Sequence, residues 1–172
     1  VDPVMGDNGK LYTGFTMAFA QKMASLCRKA DVIVPNLTEA TALLGLPYKD
    51  NYDEEYLKDI ACRLSAFGVK QAVLTGVTLD DGTIGVVAYD RTTDTYFRYG
   101  TPRVSHIFHG TGDTFASALT GALTREMPLE EALKLAVDFT ALSIEKTIND
   151  PTANWYGVNF ELALPWLINK FN

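Results

Sequence analysis

Gly110-Thr111-Gly112-Asp113 stands immediately before the apolar run Thr114-Phe115-Ala116-Ser117-Ala118-Leu119. Two glycines and a carboxylate therefore fall where a loop turns into a helix. Unpaired backbone N–H groups in the first turn of a helix form an anion site, and the helix dipole strengthens it. Glycines there let a phosphate reach the backbone. A carboxylate at Asp113 would lie beside that phosphate, in place to take a proton from an attacking hydroxyl. That chemistry is phosphoryl transfer. The motif is short, however, and an acid in a first turn also serves simply to cap a helix and offset its dipole.

Such a site needs a scaffold, and the flanking sequence describes one. Val1 reads as a strand end leading into the polar loop Asp2-Pro3-Val4-Met5-Gly6-Asp7, so an N-terminal portion of the domain is expected to precede it. Phe15, Phe19, Met23 and Leu26 recur at helical spacing between Thr13 and Lys29. Asp31 to Pro35 holds a short buried strand, and Thr38 to Leu44 a short helix ended by Gly45. Asp53 to Phe67 is amphipathic, with Leu57, Ile60, Ala61, Leu64 and Phe67 on one face. A strand from Gln71 to Thr75 follows, then a turn at Asp80-Asp81-Gly82 and a hairpin of Thr83 to Tyr89 with Thr95 to Tyr99. Helices are expected from Thr111 to Arg125, after Pro128 (with Leu129, Leu133, Val137, Ala141 and Ile144 on one stripe) and from Phe160 to Lys170. Strands alternating with helices indicate an α/β fold with a largely parallel sheet, which binds ligands at the carboxyl ends of its strands. Asp2, Asn36 and Thr75-Gly76 each follow a strand, and the Gly110 loop, which precedes a helix, is expected on the same rim.

The 172 residues suffice for a single domain with a real core, and 47% of them are hydrophobic. A net charge of −6 without a Lys/Arg run argues against nucleic acid and anionic membranes as partners. A negative chain still binds phosphates through local amides and a metal ion. No apolar run approaches the length of a membrane span. Cys27 and Cys62 fall in helical patterns without metal-ligand spacing, which reads as packing and fits a reducing, cytoplasmic setting. His106 and His109 flank the Gly110 loop, with no acidic or thiol partner at ligand spacing, and read as loop residues.

Four segments in this order and spacing carry a resemblance: Asp2-Pro3-Val4-Met5-Gly6-Asp7, Pro35-Asn36-x-x-Glu39, Leu74-Thr75-Gly76 and Gly110-Thr111-Gly112-Asp113. Together they resemble the ribokinase-like superfamily of small-molecule kinases, and within it the pyridoxal (vitamin B6) kinases. Sugar kinases of that superfamily typically carry Asp-x-Asn-x-Arg where this chain has Asp2-Pro3-Val4-Met5-Gly6. Hydroxymethylpyrimidine kinases share Asp-Pro-Val-Met but usually lack the following Gly-Asp, and often carry Gly-x-Gly-Cys at the later motif. The resemblance implies a three-layer α/β/α fold with a mostly parallel central sheet, here incomplete at its N-terminus, over a single domain spanning 1–172.

What the resemblance implies for the residues is specific. Asp113 would be the general base for the 5′-hydroxymethyl group of pyridoxal, and the amides of Gly110, Thr111 and Gly112 would stabilise the transferring γ-phosphoryl group of ATP. Asn36 and Glu39 would act near Mg²⁺ and the phosphates through water, although Glu39 also suits a plain first-turn acid. Thr75 and Gly76 would contact the triphosphate and a monovalent cation such as K⁺, or form an ordinary strand-end turn. Asp2 and Asp7 would lie near the metal and the acceptor pocket; Asp2 also suits a turn before Pro3. Val104, Phe108 and Ile144 would face adenine. The complete protein would be a homodimer. Two other readings stay open: a hydroxymethylpyrimidine kinase, and a nucleotide-binding module that catalyses nothing.

Overall fold

The computed structural model describes residues 1–104, 108–154 and 156–171. They form two compact units, Val1–Arg98 and Tyr99–Asn172.

The first unit opens with Val1 laid along the chain at 32–34. Its ammonium donates to the Val32 carbonyl at 2.7 Å, and its own carbonyl accepts from Val34 N at 3.1 Å. A small antiparallel hairpin follows, β1 (Gly6–Asp7) against β2 (Lys10–Leu11). The polar loop expected over 2–7 is thus partly strand. Its turn is Asn8-Gly9, with φ of 49° and 76°, the pair of positive dihedrals that a tight hairpin requires. A Cβ on Gly9 would stand 2.7 Å from the Tyr48 ring.

Helix α1 (Met17–Cys27) is capped by Thr16, whose side chain accepts from Phe19 N at 3.3 Å. It begins later than the apolar spacing from Thr13 suggests; of the expected stripe, Phe15 and Met23 pack half-buried against the core, but the fully buried residues are others. Ala20, Ala24 and Cys27 are buried, whereas Phe19 and Leu26 are 37% and 50% exposed. Strand β3 (Val32–Ile33), helix α2 (Leu37–Leu44, closed by left-handed Gly45) and helix α3 (Glu54–Ser65) follow. In α3 the pattern and the packing agree: Leu57, Ile60, Ala61 and Leu64 are fully buried, each leucine contributing about 2 kcal/mol by burial. Cys27 is buried as expected, but Cys62 is exposed and so is not core packing.

Strands β4 (Gln71–Thr78), β5 (Ile84–Asp90) and β6 (Thr95–Thr101) complete a sheet of order β3-β4-β5-β6; the boundary between the units falls within β6. Pairing is parallel for β3–β4 and antiparallel for β4–β5, and the connection 91–94 is far too short for a parallel crossover to β6. The sheet is therefore mixed, with the parallel pairing expected of the fold confined here to β3 and β4. Strand β4 also runs past the end expected at Thr75. The register slips between Thr75 and Val77, where Gly76 takes φ of 65°, so Thr75-Gly76 is a bulge inside a strand and not a turn after one.

In the second unit, helices α4 (Thr111–Thr124) and α5 (Leu129–Ile148) pack together, followed by a 3₁₀ turn (Phe160–Leu162) and helix α6 (Leu164–Lys170). Leu129, Leu133 and Val137 are buried as the stripe requires, while Ala141 and Ile144 are only half-buried. The single helix expected over 160–170 divides because Pro165 has no N–H and starts a fresh helix at its first turn. No helix among the described residues is long and apolar enough to cross a membrane.

Candidate active site

In the first unit, three of the polar features expected at strand ends do meet. Asn36 forms a parallel bridge with Thr75, and Thr75 N donates to the Pro35 carbonyl at 3.0 Å. Val1 runs beside β3, which places half-buried Asp2 at the same end of the sheet.

Asn36 and Glu39 form a capping box at the start of α2. Asn36 Oδ1 accepts from Glu39 N at 3.0 Å, and Glu39 Oε2 accepts from Asn36 N at 2.9 Å. Each side chain also reaches away from the helix. Glu39 Oε1 accepts from Met5 N at 3.0 Å, and Asn36 Nδ2 donates to the Gly6 carbonyl at 2.8 Å. The carboxylate is 3% exposed. Burial pushes its pKa up to about 7, against the pull of the Asn36 and Met5 N–H groups, and the Asp2 charge adds to the rise. Glu39 is thus first a cap and a tie. Asp7 is exposed, and its carboxylate accepts from Asn8 N at 2.9 Å and Asn8 Nδ2 at 2.8 Å.

Among the described residues, no group of three or more His, Cys, Asp or Glu is arranged to hold a metal ion. Asp2, Asp7 and Glu39 do not form a protein cage. Mg²⁺ bound to phosphates needs no such cage, since it keeps several waters and only one or two carboxylates nearby; of the three, exposed Asp7 and half-buried Asp2 are open to such an ion, and buried Glu39 is not.

In the second unit, α4 begins at Gly110 with φ of 80° and without any side-chain cap. The N–H groups of Thr111, Gly112 and Asp113 therefore have no partner within the helix. Thr114 N and Thr114 Oγ1 both donate to the Gly110 carbonyl, at 3.0 and 2.8 Å, which fixes the loop without using those amides. A Cβ built on Gly112 meets nothing within 4 Å. Packing does not demand a glycine there, and the space it leaves is open to a ligand. Asp113 is exposed in the first turn.

A groove of about 430 Å³ in the same unit is lined by Thr101, Pro102, Val104, Asp138, Ala141, Leu142, Glu145 and Trp166. Of the residues expected to face adenine, Val104 lines it, whereas half-buried Phe108 and Ile144 do not. Ile144 sits one position from the lining residue Glu145, on the neighbouring face of α5. The groove also takes in Leu142 and Asp138, the latter held by the Tyr99 hydroxyl at 2.9 Å, neither of which the sequence motifs single out. Asp138 is the only charged residue between Lys134 and Glu145 in sequence, and that is the signal that could have found it. His109 is exposed, and His106 lies outside the described residues.

The family described as phosphomethylpyrimidine kinase matches residues 1–155. The chain belongs to that family. Within the phosphomethylpyrimidine kinase family, the chain is 32% identical to a hydroxymethylpyrimidine/phosphomethylpyrimidine kinase of Haemophilus influenzae, over 90% of this chain and 60% of that protein. Pyridoxal kinase of Lactobacillus plantarum superposes with a TM-score of 0.88 at 35% identity, over 99% of this chain and 61% of that one. A Bacteroides thetaiotaomicron protein provisionally named a phosphomethylpyrimidine kinase, in a crystal form with pyridoxal, gives 0.89 at 39%, over 97% and 59%. The α/β fold is accordingly ribokinase-like. The chain spans about 60% of the length of these relatives.

Proposed function

We propose that this chain carries the nucleotide-binding and catalytic portion of an ATP-dependent kinase acting on the 5′-hydroxymethyl group of a B6 vitamer. The observation that carries this reading is the uncapped start of α4, with unpaired amides at Thr111 and Gly112 and a carboxylate at Asp113. The γ-phosphate of ATP rests on those amides. Asp113 takes the hydroxyl proton as the substrate oxygen attacks the γ-phosphorus. The new O–P bond forms, the bond from that phosphorus to the β,γ-bridging oxygen breaks, and ADP leaves. Because the transition state is loose, positioning and electrostatics supply most of the acceleration. Mg²⁺, when bound, neutralises phosphate charge; Asp2 and Asp7 would hold its hydration shell, while Glu39, buried with both oxygens on backbone N–H groups, fixes the segment that carries them. Thr75 and Gly76, at the β4 bulge, are assigned to the triphosphate, with K⁺ as the accompanying ion. The groove at Val104 and Leu142 suits adenine by its apolar lining. The reading includes one ribokinase-like domain over 1–172 and a homodimer.

A pyrimidine alcohol is the second reading, favoured by the family match and the Haemophilus relative. Asp113, where hydroxymethylpyrimidine kinases often carry cysteine, and the Gly6-Asp7 pair support the B6 vitamer. Side-by-side kcat/KM values for ATP-dependent phosphorylation of pyridoxal and hydroxymethylpyrimidine separate the two. A preference for pyridoxal is expected, and a preference for the pyrimidine moves the assignment. Tight MgATP binding with transfer to neither alcohol would leave only a non-catalytic nucleotide-binding module.

One substitution tests the phosphate seat independently of the acceptor. Gly112→Ala meets no protein atom, and alanine is the better helix former by roughly 0.5–1 kcal/mol. Its melting temperature should hold or rise while KM for MgATP increases several-fold. A variant with unchanged nucleotide affinity would show that phosphate does not approach this backbone.

A further inference from the structure

We propose that Thr38 is a positioning residue for Asp7: its hydroxyl fastens the turn of the β1–β2 hairpin to α2 and so sets where that carboxylate stands. The inference rests on the reading above, in which Asp7 serves the metal and acceptor side of the site.

A hairpin with two residues per strand cannot hold its own shape in water. Its geometry must be imposed from outside, and α2 imposes it at two points that bracket Asp7. On one side, Asn36 Nδ2 donates to the Gly6 carbonyl at 2.8 Å. On the other, Gly9 N donates to Thr38 Oγ1 at 2.9 Å, while the Tyr48 ring lies close against Gly9. Between these ties, Asn8 holds both carboxylate oxygens of Asp7 through its backbone N–H and its side-chain amide. The platform is itself firm. Thr38 is 6% exposed, and α2 is closed by a capping box at one end and Gly45 at the other. Thr38 lies between the two motif residues Asn36 and Glu39, yet its side chain points to the hairpin turn, 29 positions away in sequence.

Thr38→Val keeps the branched shape and removes the acceptor. The freed Gly9 N–H can turn to water, since Gly9 is exposed, so the fold survives. Thr38→Ser retains the hydroxyl. In the full chain with MgATP and pyridoxal, Thr38→Val should lower kcat/KM for the alcohol about tenfold, with Thr38→Ser restored to within about twofold of the parent. Asp7→Asn alone should lose at least as much. Adding Thr38→Val to Asp7→Asn should then cost nothing further, because one residue acts through the other. Parental kcat/KM in Thr38→Val overturns the inference. The same factor lost in the Asp7→Asn background also overturns it. A fully active Asp7→Asn overturns both this inference and the role of Asp7 while leaving the kinase reading in place. A parent without transfer to either alcohol is the failure of that reading itself, and the role of Asp7 falls with it.

Discussion

Asp113→Asn is expected to abolish phosphoryl transfer while leaving MgATP binding nearly intact. Asparagine keeps the size and the place in the first turn of α4, but it cannot accept the hydroxyl proton. General-base catalysis of this kind is worth about 10²–10⁴-fold, and transfer should fall by that order. In the proposed reading the nucleotide rests on the backbone amides of Thr111 and Gly112, at the uncapped start of α4, which the substitution does not touch. Losing one negative charge near a helix N-terminus costs only about 0.3–1 kcal/mol, so folding is preserved. Calorimetric titration with MgATP and a product assay on the same preparation check both halves. Near-normal turnover would remove Asp113 from the role of base. Weak nucleotide binding in a folded variant would mean the carboxylate acts on the phosphates and not on the alcohol.

The second large effect belongs to Glu39, and it is a dependence of stability on pH. Unfolded, this carboxyl titrates near its ordinary 4.5; folded, burial raises it to about 7. Between those values the folded chain keeps a proton that the unfolded chain has released. Stability therefore falls as pH rises from about 4.5 to about 7, and levels off above. The span corresponds to roughly 3 kcal/mol. Glutamine does not titrate, so Glu39→Gln should show no such fall over this window. It also turns an amide NH₂ toward one of the two N–H groups at Met5 and Asn36, a loss of about 1–3 kcal/mol. Parent and variant should thus differ most near pH 5 and converge toward pH 8 in urea titrations. A slope that persists undiminished in Glu39→Gln would assign it to other groups.

Much of the scaffold was legible because large apolar residues and helical period coincided. Helix α3 is the clearest instance, with Leu57, Ile60, Ala61 and Leu64 all buried. Around helix α1 the same reading held in part: Phe15 and Met23 pack half-buried against the core, but the fully buried residues are Ala20, Ala24 and Cys27. Hydropathy ranks those three below Phe19 and Leu26, which stay exposed. The bulge at Gly76 was hidden for another reason: a lone glycine after Thr75 reads equally as a strand end or as a kink within the strand. The Asn8-Gly9 dipeptide is a strong hairpin signal that the motif around it obscured.

At the candidate site, the Gly110 loop was readable because every part of it is local. Glu39 was half-readable. Its first-turn position follows from the sequence, but its burial depends on Met5, 34 positions away. Ties of that length leave no periodic trace. Of the residues expected to face adenine, only Val104 lines the groove, since lining it depends on which flank of α5 faces it, and Ile144 and Glu145 differ there by a single step.

The mixed sheet also orders events in time. Strands β4 and β5 are joined by a short turn and pair over nearly their whole length, so their contacts close small loops. Val32 can meet Gln71 only after the chain has drawn in all of α2 and α3, a far longer loop with a larger entropic barrier. The hairpin side of the sheet is thus expected to act as a nucleus, and β3 to arrive afterwards. Asn36 reaches Thr75 only in that second event, so the site between them is assembled late in folding. Destabilising changes at Asn36 should therefore speed unfolding more than they slow folding.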